Sequence, residues 1–249
     1  MKLITLTTLM LVLAGSAIAN KISDDQMKDW YPKYGERAGT PKPEQMMLNE
    51  DKEPALKRGF VDLYNGKNLD GWVQYGGKHK YEAKDGYIEA TVVPGEKSAY
   101  LSTKRNDYKD FIFTCEIKWI VDGNTGVQFR SMVKDGNTVA GPQVEMEEST
   151  RDRGWSGGIY AQSSGGQYWY PLWLDAHKKV RGAIDYNGWN RVTIAARGKV
   201  VRTWINGIPA AKWRNGEYTS GLFALQAHSG KQGQIQFRNV KVKELKLKQ

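Results

Sequence analysis

Cysteine and histidine are both scarce in this sequence. Of 249 residues, one is a cysteine, Cys115, and three are histidines. A single cysteine cannot form a disulfide within the chain, and it excludes a cysteine-rich metal cluster. The histidines, His79, His177 and His228, lie too far apart in the sequence to form a local zinc motif. With no second cysteine as a partner, we predict that Cys115 is a small buried apolar side chain rather than a reactive thiol.

One apolar run opens the chain, and it is short. Lys2 precedes the apolar segment 3–14, and small residues ending in Ala17-Ile18-Ala19 follow it. A basic start, a short apolar core and an Ala-x-Ala end are typical of a cleaved secretory signal, and the run is too short to favour a spanning helix. We therefore predict a signal peptide over 1–19 and no stable membrane anchor after its cleavage. No cysteine follows the small residues, so we expect a periplasmic or secreted protein without a lipid anchor.

Acidic residues are outnumbered, with 27 Asp and Glu against 37 Lys and Arg, which gives a formal net charge of +10. Such a balance can indicate a nucleic-acid partner. However, the lysines of the final segment, 234–247, alternate with apolar residues, as in an edge strand protected from pairing. Together with export, this pattern predicts no nucleic-acid partner.

The segment 20–58 differs from the rest of the chain in composition. It holds equal numbers of basic and acidic residues, contains four prolines and shows no sustained periodicity. We predict an N-terminal leader, partly irregular, that lies along the main domain or is partly disordered. Trp30 and Tyr31 indicate that some of this leader docks.

Residues 59–249 read as one all-β domain. Short segments of alternating polarity follow one another and are separated by glycine-rich turns. In the segment 111–119, for example, Phe111 and Phe113 share one face with Cys115, whereas Thr114 and Glu116 lie on the other. No stretch of this domain holds apolar residues at helical spacing for three turns. The pattern predicts a β-sandwich or barrel.

The polar faces of these strands are rich in planar hydrogen-bonding groups and aromatic rings. An ordinary solvated sheet face favours Thr, Ser and Lys, whereas Gln, Glu, Arg, His and Trp suit the hydroxyls and apolar faces of a sugar. We therefore predict a carbohydrate partner, with the solvated face as the alternative. The candidate residues are Arg130, Gln143, Glu145, Glu147, Trp204, Gln226 and His228.

Glu145 and Glu147 form the sharpest local pattern. Strand geometry places both side chains on one face, with origins about 6.5 to 7 Å apart. Two carboxylates at this separation could act as acid and base in glycoside hydrolysis. They could equally be two surface acids paired with neighbours such as Arg130. On spacing alone, the surface pair is the favoured interpretation, because paired surface carboxylates are common and the spacing gives only their separation.

The segment 59–72, GFVDLYNGKNLDGW, resembles the opening of the 3-keto-disaccharide hydrolase domain family, also known as DUF1080. The resemblance runs from about Gly59 to Leu245 and implies a concanavalin A-like jelly-roll β-sandwich that is exported. Seven further motifs follow in the family's order: GVQFR at 126–130, GPQVE at 141–145, GIY at 158–160, GWNR at 188–191, TWING at 203–207, LQAH at 225–228 and FRNV at 237–240.

The resemblance also implies a reaction on glycosides that are already oxidised to a ketone at C3. The ketone acidifies the C2 hydrogen, a base removes that hydrogen, the aglycone leaves C1 by β-elimination, and water then adds. By position in the motifs, Glu145 and His228 are implied as base and acid, and Arg130 and Gln143 as substrate or oxyanion contacts. Tyr160 and Trp204 are implied as rim residues.

Several alternatives remain open at this stage. The same fold could carry a non-catalytic carbohydrate-binding module or a classical glycoside hydrolase. No cofactor is predicted with certainty, but the resemblance leaves open a divalent metal held by Glu145, Glu147, Glu148 and His228, which lack a compact ligand spacing. The oligomeric state is not predicted.

The irregular stretch 150–184 has clustered aromatics. It is expected either to bind sugar or to pack as its own small core.

Overall fold

The computed structural model describes residues 21–151, 153–164 and 169–246, and two antiparallel β-sheets dominate it. The predicted signal peptide, 1–19, lies outside the described residues. Within the described ranges, no helix combines the length and the apolar character needed to cross a membrane. The packed pair of sheets confirms the prediction of an all-β sandwich.

One sheet has nine strands, and its final strand in the sequence lies near its middle. The order across this sheet is β1 (Met47–Leu48), β14 (Ile208–Arg214), β13 (Val200–Ile205), β12 (Asn190–Arg197), β7 (Phe111–Val121), β16 (Gln234–Glu244), β5 (Tyr87–Thr91) and β4 (Lys80–Lys84), while β2 (Val61–Asp62) pairs with β16.

The other sheet has seven strands, and it carries the candidate site on its outer face. Its order is β11 (Trp169–Tyr170), β10 (Ile159–Gln162), β9 (Thr138–Met146), β8 (Thr125–Lys134), β15 (Leu222–Ala227), β6 (Ala99–Thr103) and β3 (Trp72–Gly76).

The core lies between the two sheets, and strand alternation fills it. Phe113 of β7 stacks on Phe223 of β15, with ring centroids 4.6 Å apart. Val127, Val144 and Leu225 point inward from three neighbouring strands of the seven-stranded sheet and are fully buried. Burial of each such side chain contributes about 1.5–3 kcal/mol. Because alternate residues face opposite sides of a strand, the residues between them point outward, toward the candidate site.

Cys115 is fully buried in this core, as predicted. Burial raises the pKa of its thiol far above the ordinary value, because the thiolate would lose its hydration. The thiol therefore behaves as an apolar group in the folded protein.

The N-terminal leader, predicted to be partly irregular, contains a helix. Helix α1 spans Asp25–Tyr34, and the side chain of Asp24 caps it by accepting the N–H of Met27 at 3.1 Å. Met27, Trp30, Tyr31 and Tyr34 recur at the spacing of one helix face, and the helix packs through this face onto aromatic residues distant in sequence. A 3₁₀ turn, Pro43–Gln45, and β1 follow it, and a short helix α2 spans Lys178–Arg181.

The prediction that the last strand forms a sheet edge is wrong. Strand β16 lies between β7 and β5. Its lysines, such as Lys241 and Lys243, are partly exposed on the outer face of the sheet. Alternation of lysine with apolar residues reports which face of a strand meets water, and it carries no information on whether the strand has one neighbour or two.

Candidate functional site

Three neighbouring strands of the seven-stranded sheet, β8, β9 and β15, bring polar side chains together on its outer face. The register pairs Gly126 with Glu145 and Gln128 with Gln143. Gly126 leaves room at this point: a Cβ atom there would lie 2.6 Å from Nε2 of Gln143. The amide of Gln143 therefore occupies the space above Gly126 and reaches across β8 to β15.

Glu145 is held by two amide groups. Nδ2 of Asn124 donates to Oε1 of Glu145 at 2.9 Å, and Nε2 of Gln143 donates to Oε2 at 2.9 Å. Glu145 is 9% exposed, so it is nearly enclosed, and its side chain still lines a cavity. Because both oxygens accept, the group is fixed in orientation and is suited to act as an acceptor.

Gln226 supports this arrangement from behind. Its Oε1 accepts the second hydrogen of Gln143 Nε2 at 3.1 Å, and its own Nε2 donates to the hydroxyl of Tyr100 at 3.3 Å. Burial raises the pKa of Tyr100 to about 12, so its phenol stays protonated at neutral pH. Gln226 is fully buried and positions Gln143 rather than lining the cavity.

The cavity that Glu145 reaches has a volume of about 210 Å³. This volume lies below the roughly 300–1,000 Å³ of typical ligand sites, so the cavity fits a small ligand. The structure brings four sequence-predicted residues to its wall. They are Gln143, Glu145, Tyr160 and His228, and the other lining residues are Arg37, Asn124, Arg151, Arg153, Trp155, Gln162 and Trp169.

Aromatic rings form one side of this cavity. The rings of Trp155 and Trp169 meet edge to face at 4.1 Å, and those of Tyr160 and Trp169 do so at 5.0 Å. The aromatic residues of the stretch 150–184 therefore both pack together and present faces to the cavity. Trp173 is fully buried away from it, and Tyr168 lies outside the described residues.

His228 follows β15 and stands half-exposed beside the cavity. Its backbone N–H donates to the carbonyl oxygen of Asn124 at 3.2 Å, which ties it to the residue that holds Glu145. Its Nδ1 lies 2.7 Å from the carbonyl oxygen of Ser229. A carbonyl oxygen can only accept, so Nδ1 carries the hydrogen, and Nε2 of the neutral ring is an acceptor.

Glu147 does not reach the cavity. Strand β9 ends at Met146, so the side chain of Glu147 is no longer set by strand alternation. Its carboxylate pairs with Arg153 and accepts the N–H of Trp155 at 3.2 Å. Burial, and next the charge of Glu145, raise the pKa of Glu147 to about 8, while Arg153 opposes this rise. Glu147 lines a separate cavity of about 240 Å³ near α1.

Arg130 also lies elsewhere, contrary to its predicted contact with substrate. It sits where the pairing of β8 shifts register, with φ of +47°. Its guanidinium donates to the carbonyl oxygens of Lys109 and Gly198 at 2.8 Å each and pairs with Asp110 at 3.2 Å. The side chain is 1% exposed, so it acts as a structural tie between loops.

Trp204 is not a rim residue. It belongs to β13 of the nine-stranded sheet, and its indole N–H donates to the carbonyl oxygen of Asp51 at 2.8 Å. The segment around Asp51 and Glu53 crosses the outer face of that sheet, where Glu53 pairs with Arg191. Trp204 is therefore covered by the N-terminal leader, on the sheet that does not carry the cavity.

The four residues considered for a divalent metal do not fit such a centre. The oxygens of Glu145 accept from Asn124 and Gln143, Glu147 pairs with Arg153, and Glu148 pairs with an arginine at 2.6 Å. The described part of the chain holds no group of three or more His, Cys, Asp or Glu able to hold a metal ion.

Sequence reasoning missed several contributors to this cavity, among them Asn124 and Arg37. Asn124 follows a strand end and a glycine, which reads as an ordinary turn, although its amide orients Glu145. Arg37 lies in the leader, 87 residues before Asn124, the next lining residue along the chain. Trp30 and Tyr31 indicated that part of the leader docks on the domain, but they did not indicate that Arg37 would reach the cavity.

Comparisons with known proteins agree with this picture. The profile of the 3-keto-alpha-glucoside-1,2-lyase-like domain matches residues 59–243. Two crystal structures of a "putative glycosyl hydrolase" from Parabacteroides distasonis align over 76% of this chain, covering 95% and 100% of theirs, at 19% and 20% identity and TM-scores of 0.55 and 0.53.

A protein of unknown function with a galectin-like fold from Bacillus subtilis aligns over 80% of this chain and 98% of its own. The identity is 14% and the TM-score 0.52. At such identities the likeness concerns the fold, and it confirms the predicted jelly roll. Among curated proteins, none matches this chain. The family profile covers about three quarters of the sequence and supports a carbohydrate-related role. The chain therefore belongs to the family of 3-keto-alpha-glucoside-1,2-lyase-like domains.

Proposed function

We propose that this protein is an exported enzyme that cleaves small glycosides carrying a ketone at C3. The observation that carries the proposal is the fixed carboxylate of Glu145, which two amides orient at the wall of a cavity sized for a small sugar. The family match supports the substrate class. The geometry supports Glu145 as the base. His228 then remains to protonate the leaving group and to accept a proton from the water that adds.

Glu145 removes the C2 proton in the first step. The electron pair of the C2–H bond moves toward the C3 ketone and forms an enolate. Asn124 and Gln143 hold the carboxylate in place, so the base is oriented before substrate binds. An unoxidised sugar has no acidic C2 hydrogen, and a carboxylate cannot start the same reaction on it.

The enolate oxygen needs a hydrogen-bond donor. Tyr160 lines the cavity, and burial, followed by the charge of Glu145, raises the pKa of its phenol. A phenol that keeps its proton is a donor, so Tyr160 is suited to stabilise the developing negative charge. The guanidinium groups of Arg151 and Arg153 at the same wall add positive potential.

Collapse of the enolate restores the C3 ketone, forms a C1–C2 double bond and breaks the bond from C1 to the aglycone oxygen. The departing oxygen takes one proton, which an imidazolium form of His228 can supply through Nε2. In the second half-reaction, neutral Nε2 accepts a proton from water as it adds to C1, and the proton on Glu145 returns to C2. The products are the free aglycone and a 3-keto sugar.

A classical glycoside hydrolase is less consistent with this site. Such enzymes need two carboxyl groups on opposite sides of the glycosidic bond. Among the described residues, Glu145 is the only carboxylate at the cavity wall, because Glu147 faces a second cavity and pairs with Arg153.

The proposal is tested by incubating the purified protein with an aryl 3-keto-glucoside and with the matching unoxidised glucoside. We expect release of the aglycone from the keto form alone. A Glu145→Gln variant should lose this activity and retain its fold by circular dichroism. Binding of both compounds without cleavage of either would instead make the protein a carbohydrate-binding module and would refute the enzymatic proposal.

A further inference from the structure

The N-terminal leader contributes to the cavity, although it lies outside the residues that match the family profile, 59–243. Helix α1 packs against the aromatic side of the cavity. The ring of Tyr34 stacks on Trp169 at 6.0 Å with an interplanar angle of 7°, and it meets Trp155 edge to face at 5.0 Å. These contacts fix the end of α1 next to the substrate space.

Arg37 lies in the turn that follows α1, and its side chain lines the cavity. Its guanidinium carbon lies 4.3 Å from the centroid of the Tyr34 ring and 5.1 Å from that of Trp169. Stacking on two rings holds the guanidinium plane and leaves its N–H edges open to a ligand. Its charge also acts on Tyr160, where it opposes the rise in pKa caused by burial.

The three arginines at the cavity wall differ in their partners. Arg151 pairs with Glu148 at 2.6 Å, and Arg153 pairs with Glu147. Within the described residues, Arg37 has no carboxylate within 4.0 Å. Of the three guanidinium groups at this wall, that of Arg37 is therefore the one without an ion pair in the described part of the chain, and its donors remain available to substrate oxygens.

We propose that Arg37 is a specificity-determining residue whose guanidinium binds two adjacent oxygens of the substrate on the Tyr160–Trp169 side of the cavity. The turn after α1 thus contributes a residue to the substrate site. A guanidinium matches a pair of oxygens through two parallel N–H bonds, as in a vicinal diol or a carboxylate. The identity of the substrate as a 3-keto-glycoside rests on the function proposed above.

Arg37→Met tests this inference, because methionine keeps an unbranched stem and removes all donors. Lys33→Met is the matched control: Lys33 belongs to the same helix end, and its ammonium lies 5.0 Å from the Trp30 ring and 5.3 Å from the Tyr34 ring, without lining the cavity. We expect Arg37→Met to raise KM for the aryl 3-keto-glucoside about tenfold or more with little change in kcat. Arg37→Lys should recover only part of the loss, and Lys33→Met should match wild type.

Two outcomes overturn the inference. One is an unchanged KM in Arg37→Met, and the other is an equal rise in KM in both Met variants, which would mean that Arg37 acts only by docking the helix. Calorimetric titration with the same 3-keto-glucoside separates this inference from the proposed function. If wild type binds without cleaving and Arg37→Met binds about tenfold more weakly, the enzymatic proposal fails and the role of Arg37 stands.

Discussion

Replacing Gln143 with leucine removes the amide that bridges Glu145 and Gln226. Leucine is similar in size and cannot donate. In the native structure, Nε2 of Gln143 gives one hydrogen to Glu145 at 2.9 Å and the other to Gln226 at 3.1 Å. Both acceptors lose this donor in Gln143→Leu, and Gln226 is fully buried.

The expected loss of stability follows from these two bonds. A hydrogen bond to a charged group contributes roughly 1.5–3 kcal/mol net, and one between neutral groups roughly 0.5–1.5 kcal/mol. Together the two bonds would contribute about 2–4.5 kcal/mol. Water from the open cavity can replace the donor at Glu145, so we expect a loss of stability in the lower half of this range. We predict that Gln143→Leu lowers the free energy of unfolding by about 2–3 kcal/mol, measured by urea denaturation.

The same substitution should reduce catalysis. A base that loses one of its two orienting bonds samples non-productive positions, and a displacement of about 1 Å can cost about 100-fold in rate. We expect kcat for the 3-keto-glucoside to fall by about that factor, with a smaller change in KM.

Gly126→Ala reaches the same network by another route. The new Cβ atom would lie 2.6 Å from Nε2 of Gln143 and displace the amide while leaving its donors intact. Gly216→Ala is the control, because the atom closest to its Cβ would be in the flexible side chain of Lys199, at 3.4 Å.

Wild-type kcat in Gln143→Leu, with a free energy of unfolding within about 0.5 kcal/mol of wild type, would refute this reasoning.

Three further predictions concern residues outside the cavity. Burial, and next the charge of Arg181, lower the pKa of His177 to about 3, so the unfolded chain binds more protons between pH 6.5 and 3. Stability should therefore fall on acidification, with His177 contributing about 2 kcal/mol between pH 7 and 5, and His177→Leu should flatten this slope in urea titrations. Arg130→Met should lower the free energy of unfolding by about 3 kcal/mol and leave KM unchanged. A tenfold rise in KM would instead mean that Arg130 contacts the substrate. Cys115 should react with a thiol reagent only in denaturant, and rapid labelling of the native protein would contradict its burial.

Much of the candidate site follows from local strand geometry. The alternation of Val144 with Gln143 and Glu145 predicts which side chains leave the core, and the structure gathers them with Gln226 on one sheet face. This works because a period of two is set by each strand alone, before any tertiary contact.

The errors arise where strand phase is insufficient. Trp204 points outward from its strand as predicted, but phase does not reveal which of the two sheets a strand joins. Arg130 follows the phase of Gln128 until a register shift and a positive φ turn it toward the loops. Helix α1 depends on contacts with Trp155 and Trp169, more than 100 residues away, which no local pattern contains.

The central claim is that cleavage begins with removal of the C2 proton by Glu145. The most direct measurement compares kcat/KM for an aryl 3-keto-glucoside with that for the same compound deuterated at C2, in wild type. We predict slower cleavage of the deuterated substrate, together with loss of cleavage in Glu145→Gln. Equal rates for the two isotopologues, with cleavage of the unoxidised glucoside at a similar rate, would contradict it.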